Sequence, residues 1–180
     1  ALSGALGAAL GTMVANLSIS KAGFEEYKDK LAQIAMKGQY TKDELVKAID
    51  DDTNAFDEVI KAMRMPKDTD EEKENRNIEM QKGYQTATLV PLKTVENCRD
   101  ALEICKNISE VMDEGMASDV GSGALMANAG AIAAAYNVRI NLKSIKDEKF
   151  SSDVNSKLDE LLNECDQILT IVTKNVEEYL

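Results

Sequence analysis

The chain has 180 residues, 44% hydrophobic and 29% charged, which is enough apolar material for one folded domain and too much for a disordered one. Its 21 basic and 32 acidic residues leave a net charge of -11, so a phosphate backbone or an anionic bilayer is disfavoured as a non-specific partner. There is no histidine, which excludes imidazole acid–base catalysis, the serine and cysteine triads built on it, and histidine-ligated zinc.

Two prolines, 4% aromatics and long runs at helical spacing without strand alternation predict a single all-α domain over residues 1–180, with six helices. The first, Ala1 to about Ser20, opens ALSGALGAALGTMVANL, lacks the basic leader of a signal peptide, and reads like the middle of a helix. Gly4, Ala8, Gly11 and Ala15 share one of its faces, a strip suited either to tight packing inside the bundle or to a dimer seam. The stretch is too short and glycine-rich to read as a membrane span. The second helix, about Lys21 to Lys37, places Phe24, Tyr27, Leu31 and Ile34 on one face and ends at a turn at Gly38. The third opens on a capping box, Thr41 with Glu44, and stops before Pro66.

The fourth opens on the same device, Thr69 with Glu72, and runs to about Asp113 with Pro91 inside its apolar stripe. A bend is expected there, with the carbonyl of Ala87 left free. The fifth, about Ser118 to Lys143, carries VGSGALMANAGAIAAAYNV without a charge before Arg139, so it is expected to be enclosed by the others. A linker, Ser144 to Phe150, leads to the last helix, about Ser152 to Leu180, with Val154, Leu158, Leu161, Cys165, Ile168, Val172 and Val176 inward. The expected architecture is a six-helix bundle in which one central apolar helix, residues 118–143, is ringed by five others.

Cys98, Cys105 and Cys165 form no CxxC pair and are too few for a disulfide framework, so they read as buried reduced thiols of a cytoplasmic protein. No phosphate loop, dinucleotide fingerprint or metal-spaced cluster is present, which disfavours a nucleotide-dependent or metal-dependent enzyme.

Several positions break the apolar pattern. On the third helix the inward stripe is Leu45, Ile49, Asp52, Phe56, Val59 and Met63, so Asp52 occupies a core position while Asp50, Asp51 and Asp57 point to solvent. A carboxylate in an apolar wall is costly to ionise, which would raise its pKa and make it a proton acceptor near neutral pH. The alternative is a wet end of the bundle or a buried Lys or Arg partner. On the fifth helix Asp119, Gly123, Ala127, Gly130, Ala134, Asn137 and Asn141 share one face, opposite Leu125, Ile132, Tyr136 and Arg139. Such a face either admits a neighbouring helix or leaves a pocket, with Asn137 and Asn141 supplying donors and acceptors at one end. Arg139, alone among apolar neighbours, needs an anion, and Lys93, two residues after the proline, is a weaker candidate for the same role.

The segments ALSGALGAALGTMVANLS, IDDDTNAF with KAMRMPKDTDEEKENR, VPLKT and NVRINLKSIKDEKF, taken in order, resemble the cyclodeaminase/cyclohydrolase family. That family comprises the C-terminal domain of formiminotransferase-cyclodeaminase and stand-alone bacterial relatives, including serine-cycle methenyltetrahydrofolate cyclohydrolase. The resemblance implies an all-helical homodimer acting on a tetrahydrofolate derivative without metal or covalently bound cofactor, in one-carbon metabolism and histidine degradation, with a formiminotransferase as a further partner. It places the proton acceptor of an acidic VDxDAxAF-like segment on Asp52 and that segment's other acid on Asp50. Asn137 and Asn141 match the family's NVxINL segment. A PGGGS-like segment that precedes the ALSGALG run in the family is missing from this sequence.

The activity so implied is that of a formimidoyltetrahydrofolate cyclodeaminase, an ammonia-lyase. Asp52 would take the N10 proton, Asn137 and Asn141 would orient the pterin or the reacting centre, and basic residues would hold the glutamate tail. The alternative is the hydrolase activity of a methenyltetrahydrofolate cyclohydrolase, in which Asp52 activates water. A non-catalytic helical interaction module is the rival from another class, and it has no need of an acid at position 52.

Overall fold

The computed structural model describes residues 1–180 and contains five α-helices and no strand. They are α1 (Leu2–Ile19), α2 (Lys28–Met63), α3 (Asp70–Ser109), α4 (Glu114–Leu142) and α5 (Glu148–Glu177), with a short 3-10 turn at Glu25–Tyr27. The all-α class is as expected, but the second and third expected helices are one. Gly38 is an interior residue of α2, and Thr41 is buried beside it with no capping role. The reason lies in packing. A Cβ at position 38 would collide with the Thr12 hydroxyl of α1, so glycine here marks a close crossing of two helices, a job that a local sequence window reads as a turn. The actual turn lies earlier, at Gly23, whose φ of 89° is left-handed and whose amide donates to the Glu25 carboxylate at 3.0 Å.

The α3 start is as read from the sequence. Thr69 Oγ1 accepts from Glu72 N at 3.2 Å and the Glu72 carboxylate accepts from Thr69 N at 3.0 Å. The backbone amides of Thr69 and of Asp68, the latter at 2.8 Å, hold the Glu72 carboxyl below the usual carboxylate range. At the other end of the chain, Asp147 caps α5 by accepting from Phe150 N at 2.9 Å.

The central helix is α3, not the expected 118–143 segment. It packs against all four others, while α2, α1, α4 and α5 stand around it in that order, each against the next. Leu102, Ile104, Cys105 and Ile108 of α3 are sealed on adjoining faces, as only an enclosed helix allows. Its charges hid this: Arg99 and Lys106 lie in the seams, paired with Glu164 at 3.3 Å and Glu103 at 3.2 Å. By contrast α4, although uncharged along its middle, leaves Leu125, Ile132, Tyr136 and Ile140 exposed.

The small-residue strip of α1 faces inward, against α2, α3 and α4. A Cβ on Gly7 would meet the Gly123 carbonyl at 2.5 Å, and one on Gly123 would meet the Gly7 carbonyl at 3.1 Å, so the two backbones touch. Helix α1 is long and apolar enough to cross a membrane by length and composition, but half of it is buried in this bundle.

Two predictions follow from the packing. Replacing an interior helical glycine by alanine normally gains about 1 kcal/mol of helix propensity. Gly38→Ala is nevertheless expected to destabilise, because Thr12 is buried and its hydroxyl is tied to the Ala8 carbonyl at 2.7 Å, and such overpacking typically costs about 1–3 kcal/mol. Chemical denaturation should show that loss, and Gly38→Ala/Thr12→Ala should recover it. The second concerns the thiols. Burial pushes Cys98 and Cys105 up to about 12 and Cys165 up to about 11, from an ordinary 9.0. A chromogenic disulfide reagent at about pH 8 should therefore titrate no thiol in the native protein and all three after unfolding. Because the native fold holds these groups neutral, their contribution to stability is full below about pH 9 and is lost as pH rises towards 12.

Candidate active site

A cavity of about 400 Å³ opens where α1, α2, α3 and α4 meet. Ala1 and Leu2 come from the start of α1, Ile49 and Asp52 from α2, Pro91 and Thr94 from α3, and Ala133 and Asn137 from α4. Its size falls within the range of small-molecule sites, roughly 300–1,000 Å³. Asp52 is the only ionisable side chain in the lining, and it makes neither an ion pair nor a hydrogen bond within the chain. An unpaired carboxylate of this kind can accept a proton or stand beside a developing positive charge.

Asp52 reaches the cavity by a different route from the one expected. The buried stripe of α2 is Leu45, Ala48, Ala55, Val59 and Ala62, whereas Ile49, Asp52, Phe56 and Met63 are exposed. Close packing selects the alanines and turns the bulky residues outward, so a projection that weighted bulk chose the neighbouring face. Asp52 is thus an exposed cavity-rim residue and not a core acid, and the apolar wall expected around it is absent from the single chain. Its neighbours remain distinct from it: Asp51 pairs with Lys47 at 3.8 Å and lines a separate cleft, and Asp50 is exposed outside the cavity.

On α4, Gly123, Ala127, Gly130 and Ala134 are buried in helix contacts, so that face serves close packing along most of its length. Only its end reaches the cavity, through Ala134 and Asn137; Asn137 Nδ2 donates to Ala133 O at 3.2 Å, and its carbonyl oxygen carries no bond within the chain. Asn141, one turn on, does not line the cavity. Its Nδ2 donates to Ala87 O at 2.7 Å, so the carbonyl that Pro91 deprives of a partner is not free. Asp119 lies 18 positions before Asn137, about 27 Å along the helix, and takes no part in this cavity.

The two basic candidates are elsewhere. Arg139 finds its anion in Asp159 of α5, at 3.3 Å, beside a hollow formed by Tyr136, Leu162 and Asp166. Lys93 points into the cleft with Asp51 and is paired with Glu96 at 2.9 Å, which holds its ammonium charged beyond the ordinary lysine range. The sequence reading missed Thr53 and Thr94, whose hydroxyls donate within their own helices to Ile49 O and Val90 O, both at 3.2 Å, leaving oxygen lone pairs towards the cavity. Their one signal was nearness to Asp52 and Pro91. Nowhere do three Cys, Asp or Glu side chains converge as metal ligands would.

The profile of the formiminotransferase-cyclodeaminase family matches residues 1–160. A methenyltetrahydrofolate cyclohydrolase from Methylorubrum extorquens is 39% identical over 91% of this chain and 79% of its own length. The formimidoyltransferase-cyclodeaminase of Gallus gallus is 35% identical over 99% of this chain, which spans only 33% of that longer protein. The crystal structure of a formiminotetrahydrofolate cyclodeaminase from Thermotoga maritima superposes with a TM-score of 0.87 at 26% identity, covering 98% of this chain and 84% of that one. The helical scaffold, the cavity and the sequence therefore agree, and the chain belongs to the formiminotransferase-cyclodeaminase family.

Proposed function

We propose that this protein is a formimidoyltetrahydrofolate cyclodeaminase with Asp52 as its proton acceptor. The observation that carries the reading is the unpaired Asp52 carboxylate, the sole ionisable side chain of a four-helix cavity, in a chain whose relatives are named as folate enzymes. In the reaction, N10 of 5-formimino-tetrahydrofolate attacks the carbon of the protonated formimino group, N5–CH=NH2+, and a tetrahedral centre forms. Asp52 takes the N10 proton and passes it to the departing nitrogen, the carbon–nitrogen bond to that group breaks, and ammonia leaves as the 5,10-methenyl ring closes. Both reacting atoms belong to one molecule, so holding them aligned supplies much of the acceleration. The cationic product is stabilised by the Asp52 charge, and Asn137 orients the substrate through its unpaired amide oxygen.

The 39% identity to a cyclohydrolase favours a second reading that uses the same residues. Water attacks the methenyl carbon and Asp52 accepts one of its protons; as the bond from that carbon to N5 breaks, Asp52 gives that proton to N5 and the remaining hydroxyl proton is released to solvent, leaving 10-formyl-tetrahydrofolate. Incubation with formimino-tetrahydrofolate and, separately, with 5,10-methenyl-tetrahydrofolate decides between them. Ammonia release with growth of methenyl absorbance from the first supports the cyclodeaminase, whereas decay of methenyl absorbance in the second, with no ammonia from the first, supports the cyclohydrolase. Neither reaction calls for a metal in this account, and turnover should survive a chelator.

We also propose that two copies pair through the exposed apolar face of α1. Leu2, Leu6, Met13 and Leu17 are exposed, and the helix carries no charge between Leu2 and Ile19. Two chains of net charge -11 can meet there without bringing like charges together. A formiminotransferase, which the names of the animal relatives join to a cyclodeaminase, is proposed as the supplier of substrate.

Asp52→Asn keeps volume and removes proton acceptance, so kcat is expected to fall about a hundredfold or more with the circular dichroism unchanged. Asp51→Asn, already outside the cavity, should stay within about twofold of the parent. Sedimentation at micromolar concentration should show a dimer, and Leu6→Glu should shift it to a monomer.

A further inference from the structure

Pro91 has no amide hydrogen to give to Ala87 O, the carbonyl one turn back in α3. In the folded chain that acceptor is served from another helix, by Asn141 Nδ2 of α4 at 2.7 Å. The last turn of α4 is thereby tied to the point where the central helix loses its own bond. A second tie follows directly. Gln81 of α3 donates from Nε2 to Ser144 O at 2.9 Å and accepts at Oε1 from Lys146 N at 2.8 Å, so its amide holds the chain that leaves α4. Pro91 and Asn137 both line the Asp52 cavity, and Asn141 lies one turn beyond Asn137 without lining it.

We infer that Asn141 is a positioning residue: by supplying the hydrogen bond that Pro91 cannot make, it sets the register of α4 on α3 and so holds Asn137 in place across from Asp52. Using its amide nitrogen on a folate instead would leave a partly buried carbonyl without a partner, which is the more costly arrangement. The consequence for catalysis is steep, because a displacement of about 1 Å in an orienting group can cost on the order of a hundredfold in rate. The inference rests on the functional reading above, in which Asn137 orients the substrate.

A double-mutant cycle tests it, since Pro91→Ala returns an amide hydrogen to α3 and lets the helix satisfy Ala87 O itself. With Pro91 present, Asn141→Ala is expected to lower kcat about tenfold or more, with a smaller change in KM. In the Pro91→Ala background the same substitution is expected to cost less than about twofold. When Asn137→Ala is already present, adding Asn141→Ala should change little, a readout that general destabilisation would not produce. Equal losses in both backgrounds would overturn the inference and make Asn141 a substrate contact, and so would no loss in the Pro91 background. Thermal melts establish that each variant is folded at the assay temperature; should Asn141→Ala fail, Asn141→Ser runs the same cycle. A parent protein inactive on both folate derivatives would defeat the functional reading and the inference with it, whereas an active parent with an uncoupled cycle defeats the inference alone.

Discussion

The structure depends on α1 having almost no side chains where it meets its neighbours. A Cβ on Gly4 would meet the Cys98 sulfur of α3, one on Gly7 the α4 backbone, and one on Gly11 the Ile104 side chain of α3. A helix of that shape can lie against three others at once, because backbone takes the place that side chains usually fill. Its own N-terminal end, Ala1 and Leu2, then lies beside α2, α3 and α4 at one point, and that point is the Asp52 cavity. Larger residues on this strip would hold the four helices apart, so the tight seam and the open cavity have one cause.

The cavity sits beside the one place where the central helix lacks a backbone bond. Pro91 contributes an apolar ring to the wall and leaves Ala87 O for Asn141 to satisfy. Around it the neutral polar groups are tied down: Thr53, Thr94 and Asn137 each donate to a carbonyl of their own helix. What they present to the cavity is therefore acceptor oxygen, and with the Asp52 carboxylate this makes a site suited to a ligand rich in N–H groups or carrying positive charge. A pterin ring with its amine hydrogens, and a methenyl carbon with its cationic charge, have that character.

The sequence made helix type, the Thr69 cap and the α5 stripe legible, since each is a local signal of capping or periodicity, whereas α3 runs unbroken from Asp70 to Ser109 through Pro91. It misled where one residue does a non-local job. Gly38 looks like a turn because the Thr12 side chain it accommodates lies in another helix, and α4 looks enclosed because it lacks charge, although lacking charge says nothing of what covers it. For the site, geometry on the helix did separate Asp52 from Asp50 and Asp51, but for the wrong reason: it is set apart by facing the cavity unpaired, not by burial. Arg139 was read as enclosed and in need of an anion, with Lys93 as a weaker case; both are exposed, and each sits beside a carboxylate of the chain itself, Asp159 and Glu96. Thr53 and Thr94 carry no pattern that sets them apart from any helical threonine.

That one cavity suits two reactions follows from their shared chemistry. Cyclodeamination and cyclohydrolysis meet at the same cation, 5,10-methenyl-tetrahydrofolate, reached from one side by loss of ammonia and left on the other by gain of water. Both pass through a tetrahedral carbon between two ring nitrogens, and both need one base for one proton, so a single carboxylate opposite an orienting amide serves either. The difference lies in the nucleophile, which is N10 of the substrate in one case and solvent in the other. Selectivity therefore turns on whether water reaches the carbon once the ring has closed, a property of the cavity mouth and not of Asp52. Of the apolar lining, Leu2 and Ile49 are exposed in the single chain, and Leu2 belongs to the uncharged outer face of α1. If two copies pair on that face as proposed, Leu2 is covered and the solvent path restricted, and the pairing of chains and the choice of reaction would then be two consequences of the same apolar surface.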